Sequence, residues 1–450
     1  MKTLALNFLP ICLAVLFSLV ACSKGDTPNS DPAEDGEEQV LPPRNPIYDH
    51  VDSSFVVQGK TSAESEKVRL NQSFAPSDFI PIGWYATPNS KFKVNVKRLK
   101  GNTTPVLIIG TYNRERITQP PYTYQPQVIS LVVGDNTINT GKGGLLFIRY
   151  EGDGSESIVS VVNGLKPAPF FQGGKTTNDI WRKMLVEFDQ VPDVVMYKDK
   201  IMIVMNRDRA YDKVKENQNG MLDVMNRIWN YEEEISGLDD SSPKHIKNVH
   251  NHLMTEYDGD DYYMAATNYG TIYRKTDAAQ LIASATEISG WGTWHELGHH
   301  HQQNAYLWNG MMEVTVNIYS LYTEKKLGLT PRYKKDNAWD NIDTYMNKNL
   351  ADRDFDKDNV DKLAMFHQLT LAYGDNFYKT LHKQTREELP NNHTDLLKKR
   401  YFMLKACTIS GHDLTDFFKE WGMVGVESVY PEMAALGLPK PTINPATLRE

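Results

Sequence analysis

Two histidines and two glutamates stand where they could hold and use a metal ion. The stretch Trp294-His295-Glu296-Leu297-Gly298-His299 contains H-E-x-x-H, and Glu313 follows in Gly310-Met311-Met312-Glu313-Val314-Thr315-Val316-Asn317. On a helix, His295 and His299 lie at i and i+4, so both imidazoles leave one face. That spacing lets two ring nitrogens reach one ion at roughly 2.0–2.1 Å. Glu296 is turned about 100° from His295, close enough to take a proton from an attacking water without being a ligand. Glu313 is the natural third ligand. Three protein ligands with one open position mark a catalytic rather than a structural zinc site, one Zn2+ per chain. The chemistry such a site does is hydrolysis. The ion polarises the scissile carbonyl and makes water acidic, with a pKa near ~7. Glu296 then carries the water's proton to the leaving amine.

These residues need two helices to position them. Residues 305–310 read as a loop, because Asn309-Gly310 is a turn signal. A second helix is expected over 311–327, stopped by Gly328, with Lys325 and Lys326 in its last turn. Glu313 and Asn317 share one face of it, so Asn317 can hydrogen-bond a metal ligand from outside. Gly298 weakens the first helix by about 1 kcal/mol relative to Ala, which points to close approach of a neighbouring segment or of substrate. His300 and His301 point away from the ligand face, either behind the ligands or at the surface. A bare H-E-x-x-H arises by chance on surface helices. The flanking aromatics and the acid on a new helical segment make this one far more specific. The donor for the negatively charged tetrahedral intermediate is left open among Tyr257, Tyr262, Tyr263 and His367.

The chain start carries an export signal. Met1-Lys2 is followed by a mostly apolar run to Ala21 and then Cys22. A charged start, a short apolar core and small residues before a cysteine read as a lipoprotein signal peptide over 1–21, with Cys22 acylated. An ordinary signal peptide with an incidental cysteine is the alternative. Residues 22–48 are acidic and nearly free of apolar side chains, so they form a solvated tether. The expected location is the bacterial outer membrane, lipid-anchored at Cys22 and displayed at the cell surface. No other stretch approaches the ~20 apolar residues of a membrane-spanning helix. Of three cysteines, only Cys407 survives processing and acylation, so no intrachain disulfide forms. The net charge of −8 and the lack of a basic cluster argue against nucleic acid as a partner. The chain is expected to be a monomer.

The body divides in two by pattern. Over 49–166, short β-rich runs are bounded by Gly, Asn, Asp and Pro, and Phe92, Val94 and Val96 alternate with polar residues. This predicts an antiparallel β-sandwich. From 167 to 440, strands are expected at 193–205 and 252–274, with helices at 179–188, 210–234, 277–288, 359–373, 376–384, 393–410 and 414–421. The fold class is therefore α+β: an N-terminal antiparallel β-sandwich, then a mainly helical catalytic domain with a small sheet. The tail, 441–450, is Pro-rich and expected to be loose.

Gly290-Trp-Gly-Thr-Trp-His-Glu-Leu-Gly-His-His-His-Gln302 with Glu313-Val-Thr-Val-Asn-Ile318 resembles the enhancin-like zinc peptidases. These are gluzincins that include mucin-degrading proteases of gut bacteria. Gly83-Trp84-Tyr85, Phe366-His367-Gln368-Leu369, Phe377-Tyr378 and 418–422 look like further parts of that family, so the likeness spans most of 60–440. It implies zinc on His295, His299 and Glu313, Glu296 as general base, and an edge strand that lines the cleft. It also implies O-glycosylated proteins such as mucin as substrates, with glycan read beside the scissile bond. Gly83-Trp84-Tyr85 could carry aromatics for sugar stacking, with a packed sandwich edge the favoured reading, and Trp291, Trp294 and Trp308 are further candidates that core packing explains at least equally well. Two rival functions remain. One is a broad-specificity zinc protease with no glycan requirement. The other is a glycan-binding lipoprotein with a vestigial site.

Overall fold

The structure is a computed structural model that describes residues 46–115 and 125–450. The signal segment, Cys22 and the tether up to residue 45 lie outside the described residues. The tether's last residues belong to the folded body: Pro46–His50 is a short 3-10 helix, Ile47 is buried, and the Tyr48 ring meets Phe188 at 5.7 Å.

Three β-sheets set the architecture. The alternation at Phe92, Val94 and Val96 places strand Lys91–Lys100 in a four-stranded antiparallel sheet, between Glu156–Asn163 and Gly134–Asn139, with Ser54–Gln58 on one edge. A second antiparallel sheet has five strands in the order Gln127–Ser130, Val106–Ile109, Gly144–Arg149, Phe79–Ala86 and Lys166–Pro167. Val57, Phe92, Val94 and Val159 from the first meet Ile82, Leu107, Leu146 and Ile148 from the second in one core.

The second sheet is also covered on its other face. Phe79, Ile108, Leu145 and Phe147 point away from that core and pack with Val195, Met202, Val204 and Leu253 of the third sheet. Burial on both faces explains why Gly144–Arg149 reads as a continuous apolar run rather than an alternating one. A shared core therefore crosses the boundary expected near residue 167.

The third sheet is larger than the small sheet expected. Its six strands run in the order Phe170–Gln172, Asp193–Lys198, Ile201–Asn206, His252–Tyr257, Gly270–Arg274 and Met264–Thr267. Parallel and antiparallel pairs mix, and among the described residues Met264–Thr267 is an edge strand paired only to Gly270–Arg274. The face opposite the second sheet carries Met196, Ile203, Met205 and Met254. They pack under Met221, Met225 and Trp229 of helix Gln218–Ile235, and under Trp294 and Leu297.

The expected helix over 210–234 is two helices, Arg207–Asp212 and Gln218–Ile235, the second capped by the Asn217 side chain on the Gly220 N–H at 2.9 Å. The segment 277–288 supplies only a 3-10 turn, Ala278–Ala283. C-terminal helices Leu363–Tyr373, Asn376–Glu388, Asp395–Ser410 and Thr415–Glu420 gather around Trp308, Phe366, Phe402, Phe418 and Trp421. The tail is tied down rather than loose. Gln368 Nε2 donates to the carbonyls of Ala446 (2.9 Å) and Leu448 (3.2 Å), and Glu450 meets His367 at 2.7 Å. Buried backbone needs partners, and the inward-facing amide of Gln368 supplies them.

Candidate active site

Helix Trp291–Gly298 carries the H-E-x-x-H face. Its first turn is closed by the Gly290 N–H, which donates to Thr293 Oγ1 at 3.2 Å. Trp294 and Leu297 anchor its inner side in the core. His295 and His299 leave the opposite side with their rings perpendicular and 4.8 Å apart. The second helix breaks into Met312–Thr315 and Asn317–Lys326, and the first piece delivers Glu313. Glu313 Oε2 lies 2.9 Å from His295 Nε2 and 3.5 Å from His299 Nε2. All three donor atoms fall within 4.8 Å of one another. An ion bonded to each at roughly 2.0–2.1 Å spans such a group, so the residues fit a zinc ion. The hydrogen bonds from His295 and His299 hold the Glu313 carboxyl far below the usual carboxylate range.

Each histidine is braced from behind. His295 Nδ1 is 2.9 Å from Asn317 Oδ1, and Asn317 Nδ2 donates to the Glu313 carbonyl at 2.9 Å. His299 Nδ1 is 2.9 Å from Gln302 Oε1, and Gln302 Nε2 donates to the Met312 carbonyl (2.6 Å) and to Thr315 Oγ1 (2.8 Å). The sequence pointed to Asn317 and missed Gln302. The signal was present as an amide side chain three residues past His299.

Glu296 sits beside His295 and His299 and is 7% exposed. Burial raises its carboxyl above the ordinary value, while His299 and His295 oppose that, and the Ala266 N–H of the edge strand donates to it. Gly298 meets the expected close approach: a Cβ there would lie 3.0 Å from both the Cγ2 and the carbonyl oxygen of Val316. His300 and His301 are not at the surface. His300 donates to the Gly270 carbonyl at 3.3 Å, and His301 packs against Trp229 with ring centroids 4.5 Å apart.

The site opens into a cleft of about 670 Å³ bounded by the edge strand and lined by Phe74, Tyr257, Tyr262, Glu296, His299 and Met312. Of the four candidate donors for the intermediate, Tyr257 and Tyr262 face this cleft, Tyr257 with its hydroxyl 2.9 Å from Asp261. Tyr263 lies under the Arg274 guanidinium at 5.5 Å. His367 lines a separate cavity and stacks on Tyr333 at 5.1 Å, which removes it. Trp294 and Trp308 are core residues, and Trp291 is covered by Arg332 at 4.0 Å. Trp84 Nε1 donates to the Asp52 carbonyl at 2.8 Å.

Three side chains that could hold a metal ion, with a buried carboxylate beside them under the edge strand of a mixed sheet, are the groups a metallopeptidase requires. The chain belongs to the peptidase M60 family, enhancin and enhancin-like, whose family profile matches residues 164–422. It is 22% identical over 373 residues to the putative lipoprotein AcfD homolog of Escherichia coli K12, a match that covers 68% of this chain and 24% of that protein. The chain thus spans about a quarter of the length of that relative. A functionally unknown conserved protein from Bacillus anthracis is 30% identical with a TM-score of 0.78, covering 88% of this chain and 81% of that one. The M60 catalytic domain of Clostridium perfringens ZmpC, solved in complex with the sialyl T antigen, has a TM-score of 0.72 at 20% identity, covering 88% and 82%.

Proposed function

We propose that the chain is a surface-anchored zinc metallopeptidase that hydrolyses peptide bonds in O-glycosylated, mucin-like proteins. The observation that carries this reading is the convergence of His295, His299 and Glu313, the last two lining the cleft, with Glu296 buried alongside. In this reading the three donors hold zinc and Glu296 is the general base. A zinc ion held there would polarise the scissile carbonyl and bring the pKa of water down toward ~7. Glu296 accepts the proton of the attacking water and delivers it to the leaving amine. Its burial raises its proton affinity, which suits a group that must take a proton and then give it up. The Ala266 N–H aims the carboxylate. Substrate backbone pairs with the free side of Met264–Thr267, as an extended peptide adds to a sheet edge.

The glycan part of the proposal is supported by the relative solved with a sialyl T antigen. The anchor is supported by the lipoprotein signal, and by the name of the Escherichia coli relative. In this scheme Cys22 holds the lipid, 22–48 is the tether, 49–166 is the β-sandwich and 167–440 the catalytic domain. The intact set of His295, Glu296, His299 and Glu313 argues against a vestigial site.

The test is incubation of the protein lacking residues 1–21 with intestinal mucin, with and without a zinc chelator, beside the Glu296→Ala variant. Cleavage lost in both controls, with deglycosylated mucin resistant, is the expected result. Equal cleavage of deglycosylated mucin would leave a zinc protease without glycan dependence. No cleavage by the wild type would overturn the reading.

A further inference from the structure

Among the described residues, one segment of the N-terminal β region reaches the metal ligands. Residues 71–78, between helix Ala63–Leu70 and strand Phe79–Ala86, are pinned to the downstream half along their length. The Gln72 carbonyl accepts from Asn304 Nδ2 (2.9 Å) and Ser73 Oγ donates to Asn304 Oδ1 (2.6 Å). The Ala75 N–H donates to Asn268 Oδ1 (3.0 Å), and its carbonyl accepts from the Tyr269 N–H (2.7 Å). Ser77 and Asn251 exchange both main-chain bonds, at 2.9 and 3.0 Å. Held this way, the Phe74 ring stands edge-on to His299 with centroids 6.4 Å apart, and tilted over His300 at 5.6 Å. Ala75, Pro76 and Ser77 are buried, whereas Phe74 is only half-buried and lines the cleft.

Packing alone does not account for that open face. Gln302 already fixes the His299 ring, so Phe74 is not needed to orient it. A large aromatic ring kept partly in water beside the reacting centre, on a rigidly fastened segment, is a surface for an apolar group.

The direction of the cleft says which group. Helix Trp291–Gly298 runs beneath the edge strand, with Gly292 under Met264, Glu296 at Ala266 and His300 at Gly270. Phe74 therefore lies at the C-terminal end of the strand Met264–Thr267. Antiparallel pairing is the more stable arrangement per residue. A substrate pairing so places the residues that precede its scissile bond beside Phe74. An acidic side chain set against that ring would lose water without gaining a partner, whereas an apolar one would be covered.

We propose that Phe74 is a specificity-determining residue, whose ring walls the subsite for side chains on the N-terminal side of the scissile bond and favours apolar over acidic ones. The proposal rests on the peptidase reading above. A hydrophobic wall of this kind discriminates by about tenfold or more.

The test is digestion of a peptide library randomised around one threonine, in O-glycosylated and bare forms. Products are sequenced by mass spectrometry for the zinc-loaded wild type, Phe74→Ala and Phe74→Leu. The wild type should favour apolar over acidic residues before the scissile bond by about tenfold. Phe74→Ala should level that preference to within about twofold, with zinc content and the profile after the scissile bond unchanged, and Phe74→Leu should fall between. A uniform rate loss with an unchanged profile, a loss of zinc, or a change confined to residues after the scissile bond would overturn the assignment. A wild type that binds zinc and cleaves nothing would overturn the peptidase reading, and this subsite with it.

Discussion

Asn317 Oδ1 lies 2.9 Å from His295 Nδ1, and Gln302 Oε1 lies 2.9 Å from His299 Nδ1. An amide oxygen only accepts, so each contact keeps a proton on Nδ1 and makes Nε2 the nitrogen that would ligate an ion in place of its hydrogen bond to Glu313. Both amides also hold the Glu313 segment, through the carbonyls of Glu313 and Met312. Asn317→Ala and Gln302→Ala should each weaken zinc binding by about 10–100-fold. Because both support one segment, the double variant should depart from the sum of the singles. Competition against a chromogenic zinc chelator measures all three.

Glu296 and Glu313 should separate by their zinc content. Glu296→Ala should keep zinc and lose hydrolysis by at least about 10²–10⁴-fold, the range for a positioned general base. Glu313→Ala should lose both. Metal analysis of the purified variants beside a peptidase assay distinguishes them. A Glu296→Ala variant that cleaved normally would refute the base assignment.

Burial pushes the His382 imidazole down to about 3. Its ring bridges the Ile235 carbonyl (2.9 Å) and the Tyr306 hydroxyl (2.8 Å) inside the helical core. An unfolded histidine titrates near ~6.5, so the unfolded chain takes up the proton first as pH falls. The stability contribution is therefore present above about pH 6.5 and is lost progressively on the way down to pH 3, by up to ~1.4 kcal/mol per pH unit. His252, His300 and His301 are buried and shifted the same way. Urea unfolding at pH 7 and pH 5 should show the loss, and His382→Gln should reduce the slope by one proton without abolishing it.

Arg114, from the loop after strand Val106–Ile109, sits among three carboxylates where the second and third sheets meet. It lies 2.8 Å from Asp258, 3.2 Å from Asp193 and 3.6 Å from Glu256. Arg209 also reaches Glu256 at 2.8 Å and Lys275 reaches Asp258 at 3.3 Å, so among the described residues Asp193 depends on Arg114 alone. Arg114→Met should destabilise the protein by about 3–5 kcal/mol, the cost of leaving buried charge unpaired. Denaturant midpoints report it.

Much of the site was legible because it is local. His295, Glu296 and His299 follow from helical spacing, as does the pairing of Glu313 with Asn317, and the tight contact at Gly298 followed from a glycine inside a helix. What escaped depends on pairing across the chain. Phe74 arrives from more than two hundred residues upstream of His299, and no periodicity marks such a contact. The six-stranded sheet was underestimated because its edge strand Met264–Thr267 is short and its burial is decided by the helix beneath it. His300 and His301 read as polar and ambiguous, yet the sheet and Trp229 enclose them. The tail looked loose because proline-rich sequence says nothing of the Gln368 amide waiting for its carbonyls.

The middle sheet, covered on both faces, has a bearing on how this enzyme class can be dissected. The family profile begins at residue 164, after that sheet's main strands have passed. A fragment cut there would bare the Val195, Met202, Val204 and Leu253 face to water and discard Phe74. The span that identifies the family is thus shorter than the span that shares its cores. Grafts, truncations and expression trials should take residue 46 rather than 164 as their starting point.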